Sequence, residues 1–119
     1  MLTITKKFDF CYGHYLPNYN GLCSNQHGHN SILEIEIAEG YNDNCYEGMV
    51  IDFKDLKKIV KGRIVDKLDH KNLNDFIEVP TAENIVRFIA NDLQKVFAGH
   101  LVRVRVYETS DSYAEWRKE

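Results

Sequence analysis

The chain has 119 residues, is 44% hydrophobic and 28% charged, and carries a formal net charge of −3 with a pI near 5.9. That length suits one domain with a sizeable core and no second one, so residues 1–119 are read as a single domain. The lack of a basic excess argues against a nucleic-acid partner, and no run of about 18 apolar residues offers a membrane span.

The opening segment, MLTITKKFDF, lacks the apolar stretch of a secretory signal, so a cytoplasmic protein is expected. Three cysteines, Cys11, Cys23 and Cys45, then read as reduced thiols and not as a disulfide framework. Residues 2–12 alternate, with Leu2, Ile4, Phe8, Phe10 and Tyr12 on one parity and only Lys6 interrupting, which predicts a strand. Residues 13–26 carry Gly, Pro and three Asn and read as a loop. Residues 27–39 alternate again, with Leu33, Ile35 and Ile37 on one face and Glu34 and Glu36 on the other. A polar connection over 40–49 follows.

Asp52 is placed to cap a helix whose apolar stripe is Phe53, Leu56, Ile59, Val60, Ile64 and Leu68, although Gly62 disfavours it locally. Pro80-Thr81 opens a second helix with Thr81 at its N-cap and Ile85, Phe88, Ile89, Leu93, Val96 and Phe97 as its stripe. Gly99 is expected to end it. Residues 101–108 form a third strand with Val102, Val104 and Val106 inward and Arg103 and Arg105 outward, and 112–117 form a short fourth. The order ββααββ implies an α+β fold, an antiparallel sheet with two helices on one face.

The chemistry lies at the strand ends. If the first strand continues, its apolar face ends at His14, and the apolar face of the second begins with His27 and His29. An antiparallel pair brings these ends together, so three imidazoles converge. Three His are a common ligand set for a catalytic zinc with an open position. A lone His is ordinarily just a satisfied polar residue, and His100, without such company, is read as structural. The valine row of the third strand ends on the same face in Glu108, a carboxylate costly to bury without a partner. Cys23, in a loop four residues before His27, is either a plain loop thiol or a base or nucleophile beside the metal. Asp69-His70 is either a solvated helix end or a tuned acid–base pair. Cys11 and Cys45 are given no role.

These residues resemble a known family. Cys23-Ser24-Asn25-Gln26-His27-Gly28-His29 is similar to the C-x-x-x-H-G-H signature of the 6-pyruvoyltetrahydropterin synthase family. Further matches follow in order: Phe8-Asp9-Phe10 with His14, Gly48 to Phe53, Leu68-Asp69-His70 with Leu73-Asn74, Pro80 to Asn84, and Glu108-Thr109. Departures stand at Cys11-Tyr12-Gly13, Ser31, Val79 and Trp116. The resemblance implies the tunnelling fold, assembled into rings as a homo-oligomer, a hexamer built as a dimer of trimers. It makes His14, His27 and His29 ligands of a zinc ion. Cys23, Asp69 and His70 become the catalytic group, drawn from neighbouring subunits. Glu108 becomes the pterin anchor, with Thr81 and Thr109 lining that pocket. A carboxylate suits a pterin because it accepts the adjacent N–H and amino group as a forked pair. The implied substrate is 7,8-dihydroneopterin triphosphate. The favoured product is 6-carboxytetrahydropterin, with release of acetaldehyde and triphosphate, and the alternative is the 6-pyruvoyl product. A different class remains open at this point, a zinc- and pterin-binding module without turnover in which Cys23 closes the metal site.

Overall fold

The computed structural model describes residues 1–22, 25–42 and 46–119. Strand β1 (Thr3–His14) pairs antiparallel with β2 (His27–Ala38) in one unbroken register, from Thr3 opposite Ala38 to His14 opposite His27. The first strand therefore does run on to His14. Helix α1 (Phe53–Val60) follows, then a two-residue strand β3 (Lys71–Asn72), helix α2 (Ala82–Phe97), strand β4 (Leu101–Thr109) and strand β5 (Ser112–Arg117). The sheet order is β3-β1-β2-β4-β5, antiparallel except that β3 runs parallel to β1 at Tyr12 and Gly13. No helix of the described residues is long and apolar enough to cross a membrane.

Alternation builds the core on one sheet face. Phe8, Phe10 and Tyr12 of β1, Leu33, Ile35 and Ile37 of β2, and Val104 and Val106 of β4 meet Leu56, Val60, Ile85, Ile89, Leu93 and Phe97 from the helices. Burying each such Val, Leu, Ile or Phe side chain contributes about 1.5–3 kcal/mol.

Asp52 caps α1 as expected, its Oδ1 accepting from the Lys54 N–H at 2.8 Å. Beyond Val60 the helix widens into a π segment, Lys61–Val65, before a last α-turn, Asp66–Leu68. The stripe explains it. Leu56, Val60, Ile64 and Leu68 recur strictly every fourth residue, and an α-helix of 3.6 residues per turn would rotate that row by about 40° per step. A wider turn near Gly62 keeps Ile64 and Leu68 on the core. Helix α2 stops one residue earlier than expected. Ala98, not Gly99, takes the positive φ (49°), and a 3-10 turn over Ala98–His100 leads into β4.

The opposite sheet face departs from simple alternation. Arg103 and Glu34 point away from the helices yet are buried, because long side chains from three strands stack on one another. Arg103 donates to Glu36 at 2.8 Å and to Glu34 at 3.1 Å, and Arg105 donates to Glu115 at 2.7 Å. Burial pushes the Glu34 carboxyl up, but hydrogen bonds from Tyr107 and Arg103 more than offset it and hold it below its ordinary value.

Thr81 caps α2: its hydroxyl accepts from the Asn84 N–H at 3.1 Å. Thr81→Ala should cost about 1 kcal/mol and lower Tm by about 4 °C in calorimetry. An unchanged Tm would show that the cap contributes nothing.

Candidate active site

The β1–β2 register places His14 beside His27, with His29 two residues further along the same face of β2. The three rings pack edge-on with centroids 4.4–4.9 Å apart. One coordinating atom from each lies within 4.8 Å of the others. Neighbouring carbonyls fix the rings. His14 is buried and its Nδ1–H donates to the Pro80 carbonyl, just ahead of α2, at 2.7 Å. The His27 Nδ1–H donates to Asn25 O at 2.7 Å. The Glu108 backbone carbonyl accepts from the His29 ring. With Nδ1 so committed, His14 and His27 turn an Nε2 lone pair toward the shared space.

That donor set fits a cation. The Nε2 atoms of His14 and His29 stand 3.0 Å apart, two lone-pair atoms facing each other unless a proton or a metal lies between. Burial, together with the like charge of neighbouring imidazoles, lowers the affinity of His14 and His29 for protons, although Pro80 and Glu108 pull the other way. Neutral imidazole is the ligating form. The Glu108 carboxylate closes the group, with Oε1 3.5 Å from His29 Nε2 and 3.8 Å from His14 Nε2. Glu108 also borders a groove with Ala82, Glu83, Ser112 and Tyr113.

The remaining residues fall elsewhere. Cys23 lies outside the described residues. Asp69 and His70 sit at the β1 edge on the side of Cys11, and Cys11 shares with Asn30 the sheet face opposite the Tyr12–His29 pair. Asp69 Oδ1 accepts the Cys11 N–H at 2.8 Å, and the His70 N–H donates to Cys11 O at 2.6 Å. His70 adopts a left-handed conformation (φ 58°), its ring largely exposed and 3.6 Å from Asp69. Such backbone strain is often found at functional sites. A cleft of 530 Å³ is lined by His70 and Cys11 as well as by His27 and His29. Cys11, assigned nothing from the sequence, thus adjoins the Asp69–His70 pair, and only the odd-parity position of a polar residue on β1 hinted at it. Thr109 stands apart from Glu108. Its hydroxyl donates to Asp111 at 2.8 Å, and it lines a groove with Ile32 and Tyr107 on the other face, because successive strand residues point in opposite directions.

The lowered proton affinity of His14 and His29 has a pH consequence. In the unfolded chain both protonate near the ordinary value of about 6.5. Below that value, down to their lowered folded values, the unfolded chain binds more protons, so stability falls as pH falls. Metal-free protein should lose Tm between about pH 7.5 and about pH 5.5, and saturating metal should move that loss to lower pH. A flat metal-free profile would show that the rings are not held neutral.

A family model described as 6-pyruvoyl tetrahydropterin synthase matches residues 3–119. The 6-carboxy-5,6,7,8-tetrahydropterin synthase of Haemophilus influenzae is 35% identical over 141 aligned positions, covering 99% of this chain and 100% of that protein. Human 6-pyruvoyl tetrahydrobiopterin synthase is 35% identical over 107 positions, covering 83% of this chain and 72% of that one. The solved 6-pyruvoyl tetrahydropterin synthase of Caenorhabditis elegans superposes with a TM-score of 0.83 at 25% identity, covering 99% and 96% of the two chains. The sheet with two helices on one face is the tunnelling fold of these proteins. Fold, histidine cluster and sequence agree, and the chain is an enzyme of the 6-pyruvoyl tetrahydropterin synthase family.

Proposed function

We propose that this chain is a single-domain, cytoplasmic, zinc-dependent lyase. It converts 7,8-dihydroneopterin triphosphate and water to 6-carboxy-5,6,7,8-tetrahydropterin with loss of acetaldehyde and triphosphate. The observation that carries the reading is the three-imidazole cluster with Glu108 against it. His14, His27 and His29 would hold the metal. Zinc–nitrogen bonds of about 2.0–2.1 Å in tetrahedral array need nitrogens about 3.3 Å apart, close to the 3.0 Å between His14 and His29. Zinc supplies a Lewis acid that polarises the oxygens of the substrate side chain.

The protein's own groups do the rest. Glu108 takes the N–H and amino group of the pterin as a forked pair. Cys23, as thiolate, moves a side-chain proton. Asp69 orients His70, which carries a proton on the opposite side of the substrate. Thr81 helps shape the pocket by starting α2 there, and the backbone of Thr109 is what that residue offers it, its hydroxyl being engaged by Asp111. The carboxy product is favoured over the pyruvoyl product because the match to the Haemophilus influenzae protein runs the length of both chains. The carboxy reading also places the enzyme in queuosine, or 7-deazapurine, biosynthesis.

Product analysis tests the reading. Protein incubated with 7,8-dihydroneopterin triphosphate should release acetaldehyde and triphosphate together, and a His27→Ala, His29→Ala double variant should lose both zinc and turnover. Triphosphate without acetaldehyde would make the product the pyruvoyl compound. Zinc and pterin bound without turnover would make the chain a binding module.

Assembly is part of the proposal. From Thr3 to Phe10 the outer edge of β1 pairs with no other strand among the described residues, and β5 ends the sheet on the other side. Such edges favour closure by a neighbour, as in a ring of subunits, here a hexamer of two stacked trimers. Because Asp69 and His70 lie at the open β1 edge, on the Cys11 side, they would serve the next subunit's metal. Mixing inactive Cys23→Ala chains with inactive His70→Ala chains should therefore restore part of the activity. No restoration after verified subunit exchange would place both groups in one subunit.

A further inference from the structure

Tyr12 is 2% exposed, yet its hydroxyl is the one buried side-chain polar atom that finds no hydrogen-bond partner among the described residues. Folded proteins nearly always satisfy such groups, so an open donor calls for an explanation. Its surroundings supply one. The ring stacks on Phe10 at 5.4 Å, meets His14 edge-on at 5.2 Å and lies 5.5 Å from the His29 ring. The Glu108 carboxylate, 3.5 Å from His29, is near enough for its charge to act on the Tyr12 hydroxyl. The open donor therefore borders the place where the pterin reading puts the ligand.

The recognition edge of a pterin presents three groups in a row: the 2-amino donor, the N3–H donor and the 4-oxo acceptor. A carboxylate satisfies the first two and leaves the third, which needs a donor beside that carboxylate. The imidazoles of His14 and His29 are committed to carbonyls and to the cation. In the groove next to Glu108, the Ser112 hydroxyl donates to Asp111, and Tyr113 packs against Tyr107 and Arg105. Tyr12 is the buried side-chain donor left without a partner here among the described residues, and a phenol is protonated at neutral pH.

We propose that Tyr12 determines specificity, its O–H donating to the 4-oxo oxygen of a pterin whose N3–H and 2-amino group are held by Glu108. The proposal rests on the pterin reading of the site. For that bond to form, the Glu108 carboxylate, 37% exposed in the free molecule, would turn from the imidazoles toward the groove beside Ala82 that it already lines. A site that aims a buried hydroxyl at a ligand oxygen rejects a ligand lacking it, because the hydroxyl is then left unpaired.

The test compares wild-type and Tyr12→Phe protein, both zinc-loaded, binding 6-hydroxymethylpterin and its 4-thioxo analogue by calorimetry. The analogue keeps the N3–H and the 2-amino group and replaces only the oxygen, by a sulfur that accepts hydrogen bonds weakly. Wild-type protein should prefer the oxo compound about tenfold, and Tyr12→Phe should reduce that preference to about twofold by weakening oxo binding. Zinc content should be equal in the two proteins. The ligand-free Tm should be unchanged or higher in the variant, since no hydrogen bond is lost. An unchanged preference would overturn the proposal, and a lowered Tm with it would make the hydroxyl a structural hydrogen-bonding group. Equal weakening of both ligands would mean that Tyr12 acts through Glu108 and not on the oxygen. If wild-type protein binds neither compound, the pterin reading itself fails, and the Tyr12 assignment with it.

Discussion

The pairing register of β1 with β2 is the constraint on which the rest depends. A slip of one residue turns every side chain of a strand to the other face. Here it would move Phe8, Phe10 and Tyr12 off the core and take His14 out of reach of His27 and His29 in the same step. Folding and ligand assembly are therefore one event, and the sheet needs no separate device to gather the imidazoles. Both faces support the register. Leu33, Ile35 and Ile37 demand apolar partners on the helix side, and on the far side the Thr3 hydroxyl donates across the pair to Glu36 at 2.7 Å, while Arg103 ties Glu34 and Glu36 to β4.

The same pairing concentrates unfavourable groups at one end of the sheet. Facing imidazole lone pairs, a nearby carboxylate and an unpartnered phenol each work against folding. The apolar rows along the rest of β1, β2 and β4 offset that cost. A cation that binds the folded cluster and not the unfolded chain would recover part of it. A site whose polar groups lack partners in the free protein is shaped for a ligand, and that is the physical sense in which stability has been given up for function here.

Local pattern carried much of this into the sequence. Period-two alternation located β1, β2 and β4, caps located the starts of both helices, and the apolar parity of β1 led directly to His14. What stayed hidden depends on contacts between distant residues. Strand β3 is two residues long and stands because Asp69 and His70 are tied to the Cys11 backbone, 58 residues away for Asp69. Parity marked Arg103 and Glu34 as outward, which is correct, but outward did not mean exposed once three strands of long side chains lay over one another. Cys11 carried no motif and reached the Asp69–His70 pair only through that long-range turn. The resemblance puts Thr109 in one pocket with Glu108, whereas adjacency in a strand turns their side chains to opposite faces, a separation that only the sheet makes visible.

The same alternation governs how the proposed catalytic groups would combine. A strand offers two faces, and this protein uses both at one place. Tyr12 and His14 look toward the helices and the histidine cluster, whereas Cys11, between Phe10 and Tyr12, looks the other way beside Asp69 and His70. The two groups stand on opposite faces of β1, at one cleft that His70 and Cys11 line together with His27 and His29. In the proposed ring a neighbour would pair at this edge, because the β1 edge that carries Asp69 and His70 is also the one left without a long partner strand among the described residues. The open edge and the Asp69–His70 pair thus lie at one place in the sheet, and in the proposed ring a neighbouring subunit would meet both there.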